Sequence, residues 1–380
     1  MTTKILCAFG TRPEAIKMAP LVLALRQNPA FETKVLVTAQ HRELLDGVLD
    51  TFGITADWDL DIMRGGQTLT EIVTRVLSGV GEYLERHRPH MLLVHGDTAT
   101  TFASALAGFY ARVKVGHVEA GLRTFNKLEP YPEEMNRLLT GRIADVHFAP
   151  TATAKANLLS EGIDAGSIYV TGNTEIDAVL AILSKKGGGY KAPDLGRMDT
   201  AGRLIVMTSH RSENLGEPMA DICRAMRRIL DDNPDTRLVW PMHPNPLVRR
   251  VAELELGGHE RVLLTNAVDV EDMYRLIRDS FMVATDSGAI QEVAPALNKP
   301  CVVLRNVTER PEGVESGALI LGGNARDGVY KAVSAIFKDK AVYEKMAAAP
   351  NPFGDGAASA RIVSGIMHFL GLSAERPADF

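Results

Sequence analysis

The chain has 380 residues, 46% of them hydrophobic, 23% charged and 6% aromatic, which is material for two domains with sizeable cores. A formal net charge of −5, from 42 Lys and Arg against 47 Asp and Glu, excludes a nucleic-acid partner held on a generally basic surface. Three cysteines at wide spacing, Cys7, Cys223 and Cys301, fit reduced thiols and exclude a disulfide scaffold or a zinc cluster.

Short apolar or β-branched runs alternate with longer amphipathic stretches along the first half. Residues 5–9 read as a buried strand, followed by a helix over 13–26, a strand over 34–38 and helices over 42–51 and 68–86. Strands over 91–95 and 113–118 flank a helix over 99–110. A helix over 133–143, a strand over 146–149, a helix over 153–160 and a strand over 168–170 complete the series. Such alternation means right-handed crossovers and a parallel sheet covered on both faces.

Lys185-Lys186-Gly187-Gly188-Gly189 interrupts the pattern, and three consecutive glycines mark it as the linker. A second series of strands follows over 204–208, 237–240, 262–264, 281–285 and 301–304, again separated by helical patterns. The last helical stretch, 358–370, has an apolar face of Ile362, Val363, Ile366, Phe369 and Leu370 that must cover something. The tail over 373–380 is expected to fray. No apolar run approaches the roughly 18 residues of a bilayer span, and no signal-peptide pattern opens the chain, so a cytoplasmic enzyme without a membrane partner is expected. The fold class is α/β: two Rossmann-like doubly wound domains, 1–184 and 185–357, with ligands in an interdomain cleft at the carboxyl ends of the strands.

Every chemistry-bearing motif falls at such a strand end. Gly10-Thr11-Arg12-Pro13-Glu14 has one glycine and is no dinucleotide loop. Pro13 suits a first helical turn. Arg12 and Lys17 are then either solvated cations or part of an anion site at the helix N-terminus. In His95-Gly96-Asp97-Thr98, Asp97 either caps the next helix or serves as a functional carboxylate. Glu119 ends a strand with no capping partner evident. Glu133 opens a helix four residues before Arg137, where an exposed ion pair is the simpler reading. Three carboxylates brought to one cleft suit proton transfer, with burial and mutual repulsion raising at least one pKa.

In the second series, His210-Arg211 at a strand end suits a phosphate that leaves with negative charge. Pro241-Met242-His243-Pro244 reads as a rigid turn. Asp286-Ser287-Gly288-Ala289 belongs to a strand–turn–helix whose amides and Ser287 hydroxyl suit phosphates, and Arg305 and Arg310 follow the next strand. An anion cradle facing an acidic pocket points to a nucleoside diphosphate joined to a neutral polar group.

These motifs resemble those of the non-hydrolysing UDP-N-acetylglucosamine 2-epimerases. The resemblance runs over nearly the whole chain, through Phe9-Gly10-Thr11-Arg12-Pro13-Glu14, Thr38-Ala39-Gln40-His41, Val94-His95-Gly96-Asp97-Thr98, Gly116-His117-Val118-Glu119-Ala120-Gly121, Thr171-Gly172-Asn173-Thr174 and Thr285-Asp286-Ser287-Gly288. It implies the GT-B fold, with 358–380 returning to the N-terminal domain. It implies interconversion of UDP-GlcNAc and UDP-ManNAc for envelope polysaccharide precursors, with no cofactor: neither nicotinamide nor a metal takes part in the chemical step. UDP leaves by anti-elimination as a carboxylate takes the C2 proton, giving 2-acetamidoglucal, and re-adds as the proton returns to the other face. By position, Asp97, Glu119 and Glu133 match the catalytic carboxylates and His210 the histidine beside the departing diphosphate. Arg12, Lys17, Ser287, Gly288, Ala289, Glu292 and Arg310 match contacts to substrate or UDP. The family also implies a homodimer and a second UDP-GlcNAc as allosteric activator, near Gln40, Gln67, Arg211 and His243.

The chain departs from the family at Ser212, where a second arginine is usual, and at Val293, where the usual residue is a glutamate linked to the ribose. Residues 268–273 lack the usual Gln and aromatic pair around the uracil. Other readings of the same residues are a 2-epimerase of a related UDP-sugar such as a diacetamido-uronic acid nucleotide, a hydrolysing variant releasing ManNAc, and a GT-B glycosyltransferase. A transferase needs an acceptor groove but no acid–base set at C2. A noncatalytic nucleotide-sugar sensor is the fourth reading, against which the carboxylates and His210 speak.

Overall fold

Seven parallel strands form the sheet of the first half, all but the third from its apolar runs: β1 (Thr3–Phe9), β2 (Phe31–Val37), β3 (Trp58–Asp59), β4 (Met91–His95), β5 (Lys114–Val118), β6 (Val146–Ala149) and β7 (Ile168–Val170). They lie in the order β3-β2-β1-β4-β5-β6-β7. A computed structural model describes residues 2–39, 42–185, 189–196, 198 and 202–380, with the side chains of 42–44 left aside. Gln40 and the centre of the glycine linker, Lys186, Gly187 and Gly188, lie outside the described residues. Two units make up the chain, Met1–Ala181 with Phe353–Phe380, and Ile182–Pro352.

In the first unit β1 pairs with β2 from Thr3↔Phe31 to Phe9↔Val37 and with β4 from Ile5↔Met91 to Cys7↔Leu93. Ile5 to Phe9 and Met91 to Val94 are all at most 1% exposed, as strands covered on both faces should be. The core under helices Leu69–His87 and Ala99–Tyr110 gathers Leu6, Leu36, Val76, Val80, Leu92 and Val94. Two elements were not read from the sequence: β3, which is two residues long, and helix Thr174–Ser184.

Helix Ala358–Phe369 packs on helix Arg12–Gln27. It buries Ile362, Val363 and Ile366, while Phe369 and Leu370 stay half-buried. Its N-terminal amides are satisfied from elsewhere in the chain: the Asp177 carboxylate accepts from Ser359 N (2.7 Å) and Ala358 N (3.2 Å). The tail beyond it corrects the sequence expectation, because it is pinned along β7. Phe380 N donates to Val170 O (2.9 Å) and the Asp379 carboxylate accepts from Val170 N (3.1 Å) and Lys155 Nζ (2.6 Å). Arg376 lies over the Tyr169 ring at 4.2 Å. Polar composition pointed to fraying; the unpaired edge of β7 supplies the partners that prevent it.

The second unit repeats the architecture with β8 (Arg203–Thr208), β9 (Thr236–Pro241), β10 (Val262–Thr265), β11 (Met282–Thr285), β12 (Cys301–Val303) and β13 (Leu319–Leu321), all parallel in the order β10-β9-β8-β11-β12-β13. The short strand β13 was not read from the sequence. Trp240, Met226, Ile229 and Met282 are fully buried at the centre of its core. Among the described residues no helix is long and apolar enough to cross a membrane.

Candidate active site

In both sheets the strand order reverses at the first strand, between β1 and β4 and between β8 and β11. Doubly wound folds bind ligands at such a point, and the candidate residues cluster there.

In the first unit the chain leaves β1 through Gly10, where a Cβ would lie 1.8 Å from Thr38 Oγ1, so only glycine fits. Thr11 caps helix Arg12–Gln27 and Glu14 completes the capping box. Glu14 is 2% exposed. One of its oxygens accepts from Gly10 N (3.0 Å) and Thr11 N (2.7 Å), the other from the hydroxyls of Thr98 (2.6 Å) and Thr101 (3.0 Å). This carboxylate staples the turn after β1 to the turn after β4. At this helix N-terminus, read from the sequence as either solvated cations or an anion site, the structure shows these partners. Thr11 Oγ1 accepts from Glu14 N (3.4 Å), and the buried Lys17 ammonium is paired with the Glu119 carboxylate. Arg12 opens the helix, half-buried.

Glu119 follows β5 in the left-handed region (φ 61°), which turns its side chain back toward Lys17. Asn173 Nδ2 donates to the same carboxylate (2.9 Å), and His95 Nε2 lies 3.9 Å away. Asp97 is not a helix cap: that task falls to Thr98, which accepts from Thr101 N (3.1 Å). The Asp97 carboxylate instead meets Arg137 Nη2 at 2.9 Å, and Asn136 Nδ2 holds the Asp97 carbonyl at 2.9 Å. The expected exposed pair between Glu133 and Arg137 does not form. Arg137, 12% exposed at its side chain, reaches Asp97 and Glu134, and its Nε donates to the Glu133 carbonyl at 3.4 Å. Burial lifts Asp97 to about 6; Arg137 opposes that, while Glu119 and Glu133 add to it and Lys17 opposes it. Asp97 therefore senses both of the other carboxylates.

Burial also lowers His95 to about 4 and His117 to about 3, so both rings are neutral near pH 7. His117 Nε2 meets the Gly96 carbonyl at 2.7 Å and steadies the turn that carries Asp97. Glu134, 2% exposed, accepts from Thr124 N and Phe125 N (3.0 and 2.9 Å) and fixes the loop after Glu119. Sequence reasoning missed the roles of Glu14, Asn136 and Asn173, although Glu14 and Asn173 stood inside motifs already singled out.

In the second unit Asp286, fully buried after β11, organises the turn after β8. Its Oδ2 accepts from Ser209 Oγ (2.8 Å), His210 N (2.8 Å), Arg211 N (2.9 Å) and Asn214 Nδ2 (2.9 Å). His210 Nδ1 lies 3.4 Å from Oδ1, and the His210 ring stacks on His243 (5.5 Å, 15°). Burial pulls His210 below the usual imidazole range; Asp286 counters this and His243 and Arg211 reinforce it. Ser287 is the N-cap residue of helix Gly288–Ala296 without capping it through its hydroxyl. Two guanidiniums converge on that helix start: a Cβ on Gly288 would sit 3.7 Å from Arg310 Nη2 and 4.0 Å from Arg211 Nη2. Ala289 follows in the first turn. Helix amides and two arginines at one point make an anion cradle.

Glu292, 2% exposed, is ion-paired with Arg310 and orients it. Val293 is 1% exposed and faces the core. Residues 268–273 form a cap and helix start: Asp269 caps helix Val270–Asp279, and Val268 and Met273 pack against Leu195, Leu204 and Val206. Gln67 closes the loop before helix Leu69–His87, accepting from Arg64 N (2.5 Å) and donating to Ile62 O (3.1 Å). The structure thus gathers Lys17, Asp97, Glu119 and Glu133 in one unit. In the other it gathers His210, Arg211, His243, Asp286, Ser287, Gly288, Glu292 and Arg310.

Comparison with known proteins agrees over the length of the chain. The family model described as UDP-N-acetylglucosamine 2-epimerase matches residues 23–367. The UDP-N-acetylglucosamine 2-epimerase of Bacillus subtilis is 49% identical over 377 residues, 99% of this chain and 98% of that protein. A Staphylococcus aureus protein solved with UDP is 50% identical with a TM-score of 0.89, covering 100% of both chains. The UDP-GlcNAc 2-epimerase of Neisseria meningitidis, solved bound to UDP-GlcNAc, is 42% identical with a TM-score of 0.87, covering 96% of this chain and 100% of that one. On this evidence the chain belongs to the UDP-N-acetylglucosamine 2-epimerase family.

Proposed function

We propose that this protein interconverts UDP-GlcNAc and UDP-ManNAc by eliminating UDP across C1 and C2 and adding it back, in a cytoplasmic route to envelope polysaccharide. The observation that carries the reading is the division of chemistry. One unit holds carboxylates coupled through Lys17 and Arg137, with Asp97 poised at about 6. The other holds an anion cradle of Arg211, Arg310 and a helix start. A nucleotide sugar supplies one ligand for each set: a ring with a weakly acidic C2–H for the acid–base groups, and a diphosphate for the cradle.

The C2 proton is too weakly acidic to leave alone, so its removal is coupled to departure of UDP. Asp97, Glu119 and Glu133 supply proton acceptors and donors for the two faces. His210 and the cradle stabilise the charge that grows on the leaving diphosphate. The first carboxylate starts ionised, and Asp97 meets that condition above about pH 6. On the family resemblance we include in the same reading a homodimer and a second UDP-GlcNAc acting as activator near Gln67, Arg211 and His243; a sigmoidal dependence of rate on UDP-GlcNAc is the expected sign of that activation.

Purified protein with UDP-GlcNAc in D2O, followed by proton NMR, tests the reading. Deuterium should enter C2 as UDP-ManNAc appears. Asp97→Asn, Glu119→Gln and Glu133→Gln should each lower the exchange by orders of magnitude while the fold survives. No exchange, with UDP released only when an acceptor sugar is added, would favour a transferase instead. Exchange only with a diacetamido-uronic acid nucleotide would move the substrate to that related UDP-sugar.

A further inference from the structure

Asp286 has two oxygens with different employment. Oδ2 takes four donors from the turn after β8, whereas Oδ1, equally buried, has no hydrogen-bond partner among the described residues. The group facing Oδ1 is His210 Nδ1 at 3.4 Å, long for a full hydrogen bond but within ion-pair reach. Catalytic hydrogen bonds are often this loose before a ligand binds. The ring has little freedom to turn elsewhere, because His243 stacks on one face and the backbone N–H of His210 is itself held by Oδ2. A buried acceptor left unsatisfied costs free energy, and an N–H at Nδ1 is the donor within reach.

We propose that Asp286 is a positioning residue for His210: its Oδ1 fixes the Nδ1–H form of the ring, so that Nε2 is the nitrogen presented to the departing diphosphate. The inference rests on the reading of His210 as the group beside that diphosphate. The charged and titratable groups around the ring are Asp286, His243, Arg211 and Glu213. Of these, Asp286 is the fully buried one facing Nδ1. When the diphosphate arrives and the imidazolium forms, its second proton sits on Nε2 and the carboxylate compensates the charge behind it.

The test reads the tautomer directly. In wild-type protein labelled with 15N-histidine, with the His210 signals assigned by their loss in His210→Gln, the neutral ring should be protonated at Nδ1. Asp286→Asn keeps an oxygen for the four turn donors and turns an amide N–H toward Nδ1. His210 should then switch to the Nε2–H form, its titration midpoint should fall, and kcat should drop by roughly 10²- to 10⁴-fold with KM little changed, as expected of a wrong tautomer. A neutral wild-type ring protonated at Nε2 overturns the proposal, and needs no variant that might misfold. An Asp286→Asn ring with unchanged tautomer and midpoint overturns it as well. Absence of C2 exchange in the wild type would sink the epimerase reading by itself and leave the tautomer result to decide this one.

Discussion

Arg137→Met is the substitution that most sharply tests the carboxylate site. Arg137 pairs with Asp97 at 2.9 Å, and its side chain is 12% exposed against 28% for Asp97. Two unit charges about 4 Å apart interact by about 4 kcal/mol at an effective dielectric of about 20. The partial exposure of Asp97 roughly halves that figure, to about 2 kcal/mol. At about 1.4 kcal/mol per tenfold change in a proton equilibrium, the Asp97 carboxyl should move up by about 1.4 pH units from its wild-type value of about 6. The assay is the pH dependence of kcat/KM for C2 exchange between pH 5 and 9. Wild-type rates should fall on the acid side through about 6, where the carboxylate takes up its proton. In Arg137→Met the same limb should lie about 1.4 pH units higher, so the variant is impaired near pH 6 and close to wild type at pH 8.5. A limb that does not move, in a variant that melts normally, refutes the assignment of that limb to Asp97. A wild-type profile flat down to pH 5 refutes the requirement for its ionised form.

Stability should carry a signature of the buried histidines. His95 and His117 have folded values lowered by burial to about 4 and about 3, so their contribution is full above the unfolded value near 6.5 and is lost as pH falls toward those values. Two protons bound by the unfolded chain alone give a slope of about 2.7 kcal/mol per pH unit between about 6 and 4; Asp97, raised in the fold, acts oppositely between 3.8 and about 6. Urea unfolding of His117→Gln should show about one proton less of slope, and an unchanged slope would contradict the neutral buried ring. Val293→Glu, at a position 1% exposed, should cost about 3 kcal/mol or more of stability by burying a charge. A variant that melts like wild type and binds UDP more tightly would show instead that the position opens toward the ribose. Asp379→Ala should cost about 1 kcal/mol by removing the contacts to Lys155 and Val170 N and leave C2 exchange unchanged; no loss of stability would mean that the tail is not pinned in solution.

The strands and helices that were legible owe it to their apolar periods: the runs at 91–95, 146–149 and 168–170 reappear residue for residue as β4, β6 and β7. Of what escaped, β3 and β13 were short, helix Thr174–Ser184 lay in an apolar stretch that was not read as an element, and the tail was decided by distant partners. The tail looked frayed because its polarity gives no local reason for order; the order comes from the edge of β7, some 210 residues away in sequence. Candidate site residues were legible by place, since they stand where parallel strands of a doubly wound sheet end. Their pairings were not. Nothing local says that Arg137 prefers Asp97 to Glu133, or that Lys17 turns from the helix N-terminus to Glu119. Those choices depend on which turns the sheet order sets side by side.

That sheet order accounts for a feature common to the two units. β1 and β4 in one sheet hold the same topological places as β8 and β11 in the other, the pair where the order reverses. In each unit one buried carboxylate with four donors ties the turns that follow this pair. Glu14, from the β1 side, reaches Thr98 and Thr101 beyond β4. Asp286, from the β11 side, reaches Ser209, His210, Arg211 and Asn214 beyond β8. A buried charge is a poor means of stabilising a fold, since its desolvation offsets most of what its bonds return. It is a good means of holding two turns in one arrangement, because loss of any donor leaves an unsatisfied charge behind. Asp97 hangs from the turn that Glu14 fixes, and His210 and Arg211 from the turn that Asp286 fixes. Within each sheet, then, a single buried carboxylate holds the reversal point in one arrangement, and that is the precision the candidate residues beside it need.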